Sequence, residues 1–289
     1  MNYFLHLLIM ISIYFILSLS LNILIGYSGL VSFCHSAFYG IGAYATALLM
    51  MKLHFPFTIS IIIGIALSVF ISLFPSLLSL RLKQDYFYLT TIGFQIIIFS
   101  ILYNWLGLTN GPYGISDIPN PSILGIKINT VLKFALLSTA IFTICFLLFW
   151  GILSSPFGRT LKAIREDELL ASTLGKRVYY LKITAFALSA GFASVSGALF
   201  ACYMHYIDPT SFTLSESFFI LSAVLIGGAG NIRGPLIGTI FVIIMPEILR
   251  SLHIPDSISA NLRQIIYGFL ILILMRFRPQ GLGGEYKLQ

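Results

Sequence analysis

The side chains that most often carry out chemistry are scattered through this sequence at spacings that build no site. None of the five histidines has a partner four residues away, the spacing that sets two metal ligands on one helix face. They are His6, His35, His54, His205 and His253. The cysteines Cys34, Cys145 and Cys202 lie in apolar tracts, also without a metal-ligand spacing. We therefore predict no metal site and no catalytic residue, and expect a protein that is not an enzyme.

Glycine-rich turns can also do chemistry by wrapping phosphate groups, but those of this chain have other spacings. No G-x-x-x-x-G-K-[ST] motif occurs, so the chain is predicted to have no ATPase activity of its own. In GGAGNIRG, residues 227–234, the glycines are spaced differently from a dinucleotide-binding fingerprint. We expect this chain to bind no cofactor.

The composition is that of a protein embedded in a membrane. Of 289 residues, 58% are hydrophobic and 9% are charged, and the mean hydropathy is +0.95, whereas soluble domains contain about 25% charged residues. Runs such as residues 57–80 and 131–153 reach the roughly 20 residues that cross a bilayer. The net charge of +7 is spread over the ends of these runs, which argues against nucleic acid as a partner. Soluble enzyme folds are excluded.

The longest polar interruption, residues 154–182, sets the predicted orientation. It carries six basic residues and three acids, and loops rich in Lys and Arg stay in the cytoplasm. Counting outward from this cytoplasmic loop gives crossings at about residues 4–25, 30–51, 57–80, 86–105, 131–153, 183–206, 215–232, 235–250 and 263–277. The N-terminus and an external loop, about residues 106–127, then lie outside. We predict an all-α polytopic membrane protein of about 8–10 transmembrane helices, with residues 1–289 forming a single domain.

Glycine clusters in two of the apolar tracts, one in each half of the chain. Gly26 and Gly29 follow LI with the same spacing as Gly227 and Gly230, which favours an internal duplication; a chance likeness is the alternative. Duplicated membrane folds commonly place the transport pathway where broken helices meet. We predict helix breaks or pathway-lining positions at Asn22, Gly26, Gly29, Gly40, Gly42, Gly227, Gly228, Gly230, Gly234 and Pro235.

The cytoplasmic loop is predicted to form one or two short helices across the membrane exit. A solvated surface helix is the alternative, but it would leave the leucines of the loop exposed without a partner. The residues predicted to set or form a docking surface are Gly158, Arg159, Leu161, Ile164, Arg165, Glu168, Ala171 and Gly175. Because the tracts contain almost no mid-membrane carboxylate for a coupling ion, we expect the energy source to lie in another protein.

Four motifs resemble those of the LivM-type membrane permeases of branched-chain amino acid ABC importers, in order and over nearly the whole chain. The first is LNILIGYSGLVSFCHSAFYGIGAYATALL, and the second is DYFYLTTIGFQIIIFSILYNWLGLTNGPYGISDIP. The third is SPFGRTLKAIREDELLASTLGKRVYYLKITAFALSAGFASVSGAL, and the fourth is AVLIGGAGNIRGPLIGTIFVIIMPEILR. In the third, Leu169, Leu170 and Ala171 stand where other ABC importers have Glu-Ala-Ala. The resemblance therefore implies a coupling role for the loop and not for a particular Glu.

The resemblance implies a permease subunit for branched-chain amino acids (leucine, isoleucine and valine) in the bacterial cytoplasmic (inner) membrane. The implied partners are a LivH-type permease, two cytoplasmic subunits that use the ATP, a periplasmic or lipid-anchored binding protein, and the bilayer. An importer of urea, amides or other small polar solutes is the alternative, and an ion-coupled secondary carrier is a further one. Uncharged groups such as Thr91, Gln95 and Ser189 suit the passage of a neutral or zwitterionic solute without a fixed deep binding site.

Overall fold

A computed structural model describes residues 2–79, 84–123 and 126–251, together with residues 262, 265–266, 268–269, 272–273, 276 and 281–283. Its α-helices are α1 (Asn2–Asn22), α2 (His35–Lys52), α3 (Phe57–Ser79), α4 (Gln84–Asn104), α5 (Leu106–Thr109), α6 (Val131–Ser154), α7 (Pro156–Glu166), α8 (Glu168–Thr173), α9 (Val178–Met204), α10 (Leu214–Gly227) and α11 (Arg233–Ser251). A π-helical turn, Ile23–Ser28, continues α1, and 3-10 turns lie at Gly111–Tyr113 and Pro209–Phe212.

The external loop contains a short antiparallel pair of strands in an otherwise helical chain. Strand β1 (Ser122–Ile123) pairs with β2 (Ile126–Lys127), with Ser122 opposite Lys127 and Ile123 opposite Ile126. The loop is also tied to the segment after α9, because the backbones of Ile115 and Ile207 bond to each other at 2.8 and 3.0 Å. These bonds hold the loop over one end of the helices.

The predicted crossings and the observed helices agree in order. Five helical segments of the described chain are long and apolar enough to cross a membrane: Tyr3–Ser28, Phe57–Leu78, Tyr86–Asn104, Val131–Ser154 and Val178–Met204. Helices α2, α10 and α11 take the places of three further predicted crossings. The ninth, residues 263–277, lies largely outside the described residues. The chain is thus an all-α polytopic membrane protein, as predicted.

Two helix starts differ from the starts of the predicted crossings. Helix α2 begins at His35 and not at residue 30, because residues 29–34 form a non-helical segment between the π turn and α2. Helix α9 begins at Val178, before the predicted crossing at residues 183–206, and includes Lys182. The Lys182 ammonium is held near the loop by Glu168, at 2.6 Å, so this charge fits within the first turns of α9.

The apolar segments that contain α1 and α9 are 78% buried, whereas those of α3, α4 and α6 are less than a third buried and lie toward the outside. Helix α9 can be central because it is rich in Ala, Gly and Ser, which let helix backbones approach closely. Gly197 of α9 lies against the Tyr39 carbonyl of α2, and Gly42 of α2 lies against the Ser194 backbone of α9. A Cβ atom at either glycine would overlap the facing backbone, so these contacts set the distance between α2 and α9.

Helices α2 and α10 are short, and a non-helical or 3-10 segment precedes each of them. Helix α2 has 18 residues and α10 has 14, which correspond to about 27 and 21 Å at 1.5 Å per residue against a core of about 30 Å. The segment 29–34 leads into α2 from the end where the cytoplasmic loop lies, and Pro209–Phe212 leads into α10 from the opposite end. Discontinuous helices of this kind line solute sites in many transporters.

Candidate translocation and coupling site

The two glycine-rich segments meet in space at the end of α1. Asn22, which is fully buried, accepts a hydrogen bond from the Gly230 N–H at 3.1 Å and donates one to the Asn231 carbonyl at 2.7 Å. Gly26 lies so close to the Gly230 backbone that a Cβ atom on Gly26 would overlap it. The segments singled out by their matching spacing thus contact each other, and their role in solute passage stays a prediction.

Glycine also closes the hairpin formed by α10 and α11. A Cβ atom at Gly227 would collide with the Gly234 carbonyl. Gly228 and Gly230 have φ angles of 99° and 96°, a region that residues with a Cβ atom rarely adopt. Residues 228–232 therefore form a break between the helices, while Pro235 lies within the first turn of α11, where a missing N–H is tolerated.

Of the two alternatives, a helix break or close packing along the pathway, Gly40 and Gly42 show close packing, and their place beside a pathway stays a prediction. Helix α2 runs through both without interruption. A Cβ atom on Gly40 would lie 3.0 Å from the Phe212 ring, and one on Gly42 would overlap Ser194. Small residues in membrane helices serve close packing as well as bending. The actual break precedes α2, where Gly29 has a φ angle of 69°.

The cytoplasmic loop folds into two short helices with well-defined ends. The Ser155 hydroxyl caps α7 by accepting from the Phe157 N–H (3.2 Å), and Pro156 occupies the first helical position, where proline is favoured. The Asp167 carboxylate caps α8 by accepting from the Leu170 N–H at 2.9 Å. Gly175, with a φ angle of 75°, ends α8 in the left-handed conformation typical of helix C-termini.

Helix α7 touches the first glycine-rich segment directly. The Arg165 guanidinium donates a hydrogen bond to the Gly26 carbonyl, and its aliphatic stem lies over Gly29. One turn earlier, the Lys162 ammonium lies 5.1 Å from the centre of the Tyr27 ring. A displacement of α7 would therefore move the π turn that ends the first membrane helix.

Several residues predicted to dock a partner are instead buried against this chain. Leu161, Ile164 and Ala171 are 0%, 3% and 4% exposed, because their faces of α7 and α8 pack against the membrane helices. A Cβ atom on Gly158 would overlap the Leu153 carbonyl, so Gly158 allows the tight turn from α6 and makes no outward contact. Arg165 is half-buried and directed at Gly26, so these residues act mainly on this chain.

The outward surface of the loop is formed by other residues. Leu169, Leu170 and Leu174 of α8 and its C-cap are 79%, 59% and 72% exposed, and we name them the leucine face. Arg159 is exposed beside it, and Glu168 is exposed while it binds Lys182. Three exposed leucines on a loop of otherwise polar residues are typical of a surface that another protein covers.

A polar cavity of about 720 Å³ opens where the glycine-rich segments and α7 come together. Its lining includes Tyr27, Lys162, Gly230, Asn231 and Arg233. An apolar groove of about 810 Å³, lined by residues of α6, α7 and α9, lies on another side of α7. The cavity places polar groups of both glycine-rich segments around one space at the cytoplasmic end.

The contacts that join the two discontinuous helices were only partly predicted. The Gln95 side chain of α4 accepts from the Ala37 N–H of α2 at 2.7 Å and donates to the Phe212 carbonyl before α10 at 2.8 Å. The Ser217 hydroxyl of α10 accepts from the Ser36 N–H of α2 at 3.1 Å. Sequence reasoning counted Gln95 as a pathway group but missed Ser36 and Ser217, whose only signal is that each is a polar residue within an apolar run.

We expect Asn22→Ala to loosen the junction of the two glycine-rich segments. The change removes both hydrogen bonds and leaves the Gly230 N–H without its partner, which costs about 1–3 kcal/mol for a buried group. Thermal unfolding of the purified protein in detergent should show a lower midpoint. Ser12→Ala on the same helix is the control, because the Ser12 hydroxyl bonds only within α1, to Leu8. Equal midpoints for the two variants would contradict the junction.

These segments coincide with those that match a known family. Residues 3–275 match the family model described as branched-chain amino acid transport system / permease component. The chain belongs to this family. It is therefore a permease component and a multi-pass membrane protein, and the glycine-rich segments and α7–α8 lie within the matched region.

Curated relatives match more than nine-tenths of this chain, and the chain spans about two thirds of the length of the Escherichia coli relative. It is 34% identical over 296 residues to the high-affinity branched-chain amino acid transport system permease protein LivM of Escherichia coli (strain K12), covering 93% of this chain and 67% of the relative. It is 27% identical to a probable branched-chain amino acid transport permease protein LivM of Methanocaldococcus jannaschii, covering 93% and 90%. The permease protein LivH of Salmonella typhimurium is 25% identical, covering 96% and 93%. No solved structure matches the chain.

Proposed function

We propose that this permease moves leucine, isoleucine and valine into a bacterial cell as one subunit of an ABC importer in the inner membrane. The names of the LivM and LivH relatives support the solute class. The single observation that carries the coupling mechanism is the contact of Arg165 in α7 with Gly26. It joins the outward surface of the cytoplasmic loop to a segment beside the predicted pathway.

The proposed complex pairs this chain with a LivH-type permease. The translocation pathway would run between the two permeases, bordered here by the glycine-rich segments and by the discontinuous helices α2 and α10. A periplasmic or lipid-anchored binding protein would deliver the solute at the end where the external loop lies. The external loop is held rigidly enough to receive it, because Ile115 and Ile207 are paired by two backbone bonds.

The energy source is proposed to be a pair of cytoplasmic ATP-binding subunits that dock on the leucine face. The sequence has no P-loop, so ATP would be used by these partners and no cofactor by this chain. When they move the leucine face, α8 carries α7 with it, because only Asp167 separates the two helices. Helix α7 then acts on the π turn through Arg165 and Lys162.

We expect leucine uptake only by the complete complex, supplied with the binding protein and with ATP. The measurement is uptake of labelled leucine into vesicles that hold the complex, with excess isoleucine, valine, urea or a sugar as competitor. Isoleucine and valine should compete, and urea and the sugar should not. If urea were taken up and excess leucine did not reduce that uptake, the proposed solute would be wrong. The assignment as an ABC permease would stand. Uptake that an ionophore abolishes and ATP depletion leaves unchanged would favour an ion-coupled carrier.

A further inference from the structure

A carboxylate lies among the helix ends that meet inside the membrane layer. The Tyr14 hydroxyl of α1 donates a hydrogen bond to the Glu216 carboxylate of α10 at 2.7 Å. Tyr14 lies midway between Asn2 and Ser28, the limits of the first membrane segment, and its bond places Glu216, in the first turn of α10, at the same level. The pair therefore lies near the middle of the membrane, where an ionisable group is costly and usually functional.

The Glu216 carboxylate has spare capacity to bind a cation. A carboxylate can accept about four hydrogen bonds, and Tyr14 supplies one. No Lys, Arg or His in the described part of the chain forms an ion pair with it. Glu216 and Tyr14 are both partly exposed, so a mobile group can reach them, whereas lipid would offer the carboxylate no partner.

Two buried hydroxyl groups of α2, in residues that contact the start of α10, have no hydrogen-bond partner among the described residues. They belong to Ser36 and Tyr39 of α2, which are 0% and 1% exposed. Ser36 lies next to the first turn of α10, because its backbone N–H donates a hydrogen bond to the Ser217 hydroxyl. The Tyr39 ring packs on Phe212, just before α10, at 5.1 Å between ring centres. Buried polar groups are rarely left unpaired, so a ligand that bonds to them is expected.

We propose that Tyr14, Ser36, Tyr39 and Glu216 form an intramembrane site for the α-ammonium group of the transported amino acid. The inference rests on the proposed function and adds a residue that recognises the solute within the permease. The Glu216 carboxylate supplies the opposite charge, and Tyr14 holds that carboxylate at the meeting point of α1, α2 and α10. The hydroxyl groups of Ser36 and Tyr39 can accept further hydrogen bonds from the ammonium. A solute without an ammonium group would not be bound by this site.

The test uses the complete complex in vesicles, with the binding protein in excess so that delivery does not limit uptake. Glu216→Gln keeps the size of the side chain and the bond from Tyr14 but removes the charge. Loss of a hydrogen bond to a charged group corresponds to a decrease in leucine uptake of about tenfold. ATP hydrolysis stimulated by the binding protein should stay at the wild-type rate, and Glu216→Asp should recover most of the uptake. Glu247→Gln, a matched loss of a carboxylate on α11, should transport like the wild type.

Each other outcome overturns the site. If Glu216→Gln took up leucine at the wild-type rate, Glu216 would have no role in solute recognition, while the proposed function would stand. Loss of the second permease from the purified Glu216→Gln complex would mean that Glu216 binds a basic side chain of that subunit. Uptake of urea but not leucine by the wild type would remove the proposed function and the ammonium site together. If Glu216→Gln fails to fold, Tyr14→Phe should still show a smaller decrease in leucine uptake, and unchanged uptake would overturn the site.

Discussion

Leu170→Asp should abolish ATP-driven uptake while the permease itself stays folded. Leu170 is 59% exposed on the leucine face, so the charge costs nothing in the free subunit. Docking of an ATP-binding subunit would bury that charge without a partner, which costs about 3–5 kcal/mol. At 1.4 kcal/mol per factor of ten, the affinity should fall by at least about 100-fold. Co-purification of the ATP-binding subunits and leucine uptake should both be lost.

Two controls separate docking from folding in this experiment. Tyr113→Asp introduces the same charge at an exposed position of the external loop, and it should retain co-purification of the ATP-binding subunits. Ile164→Asp places the charge at a buried position, 3% exposed, so it should lower the thermal stability of the permease even without partners. Wild-type uptake by Leu170→Asp would place the docking surface elsewhere on the chain. Unchanged stability of Ile164→Asp would contradict the buried packing of α7.

Gly227→Ala should separate α10 from α11 and eliminate transport. The added Cβ atom would overlap the Gly234 carbonyl, which is backbone and cannot move aside as a flexible side chain could. Overpacking in a close-packed interior costs about 1–3 kcal/mol or more. The break at residues 228–232 would shift with it and disturb the bonds from Asn22 to Gly230 and Asn231. We expect a lower unfolding midpoint for the purified complex and no leucine uptake.

Gly151→Ala is the matched control, because nothing lies within 4 Å of a Cβ atom built at Gly151 in α6. Alanine is favoured over glycine in a helix interior by about 1 kcal/mol, so this variant should be at least as stable as the wild type. Equal stability and equal uptake for Gly227→Ala and Gly151→Ala would show that the hairpin tolerates a wider separation of α10 and α11.

The membrane fold could be predicted because long apolar runs have few alternatives in a bilayer. Backbone groups in hydrocarbon must bond to one another, so a run such as Phe57–Leu78 becomes a helix whatever its neighbours are. The ends of helices were harder to predict. Helix α9 includes Lys182, whose ammonium bonds to Glu168, and that bond depends on how α8 lies against α9.

The candidate site was predictable at its glycines and less so at its polar contacts. Matching spacing identified Gly26 and Gly230, since positions where two backbones must approach closely require glycine, which is visible in the sequence. Leu161 and Ile164, which were predicted to take part in coupling, are buried against this chain, so they can act only through the packing of α7. An amphipathic helix offers one apolar face, and sequence cannot say whether that face is covered by this chain or by a partner.

The sequence by itself determined the class of the protein, the polar loop between α6 and α9 and the two glycine-rich segments. These features depend on local properties, namely hydropathy, charge and the absence of side chains, which act wherever the chain lies. Only the tertiary structure decided that Asn22 bonds to Gly230, that Arg165 reaches Gly26 and that Tyr14 bonds to Glu216. Each of these contacts joins residues more than a hundred positions apart, and their pairing depends on the close packing of helices whose exposed surfaces are chemically alike.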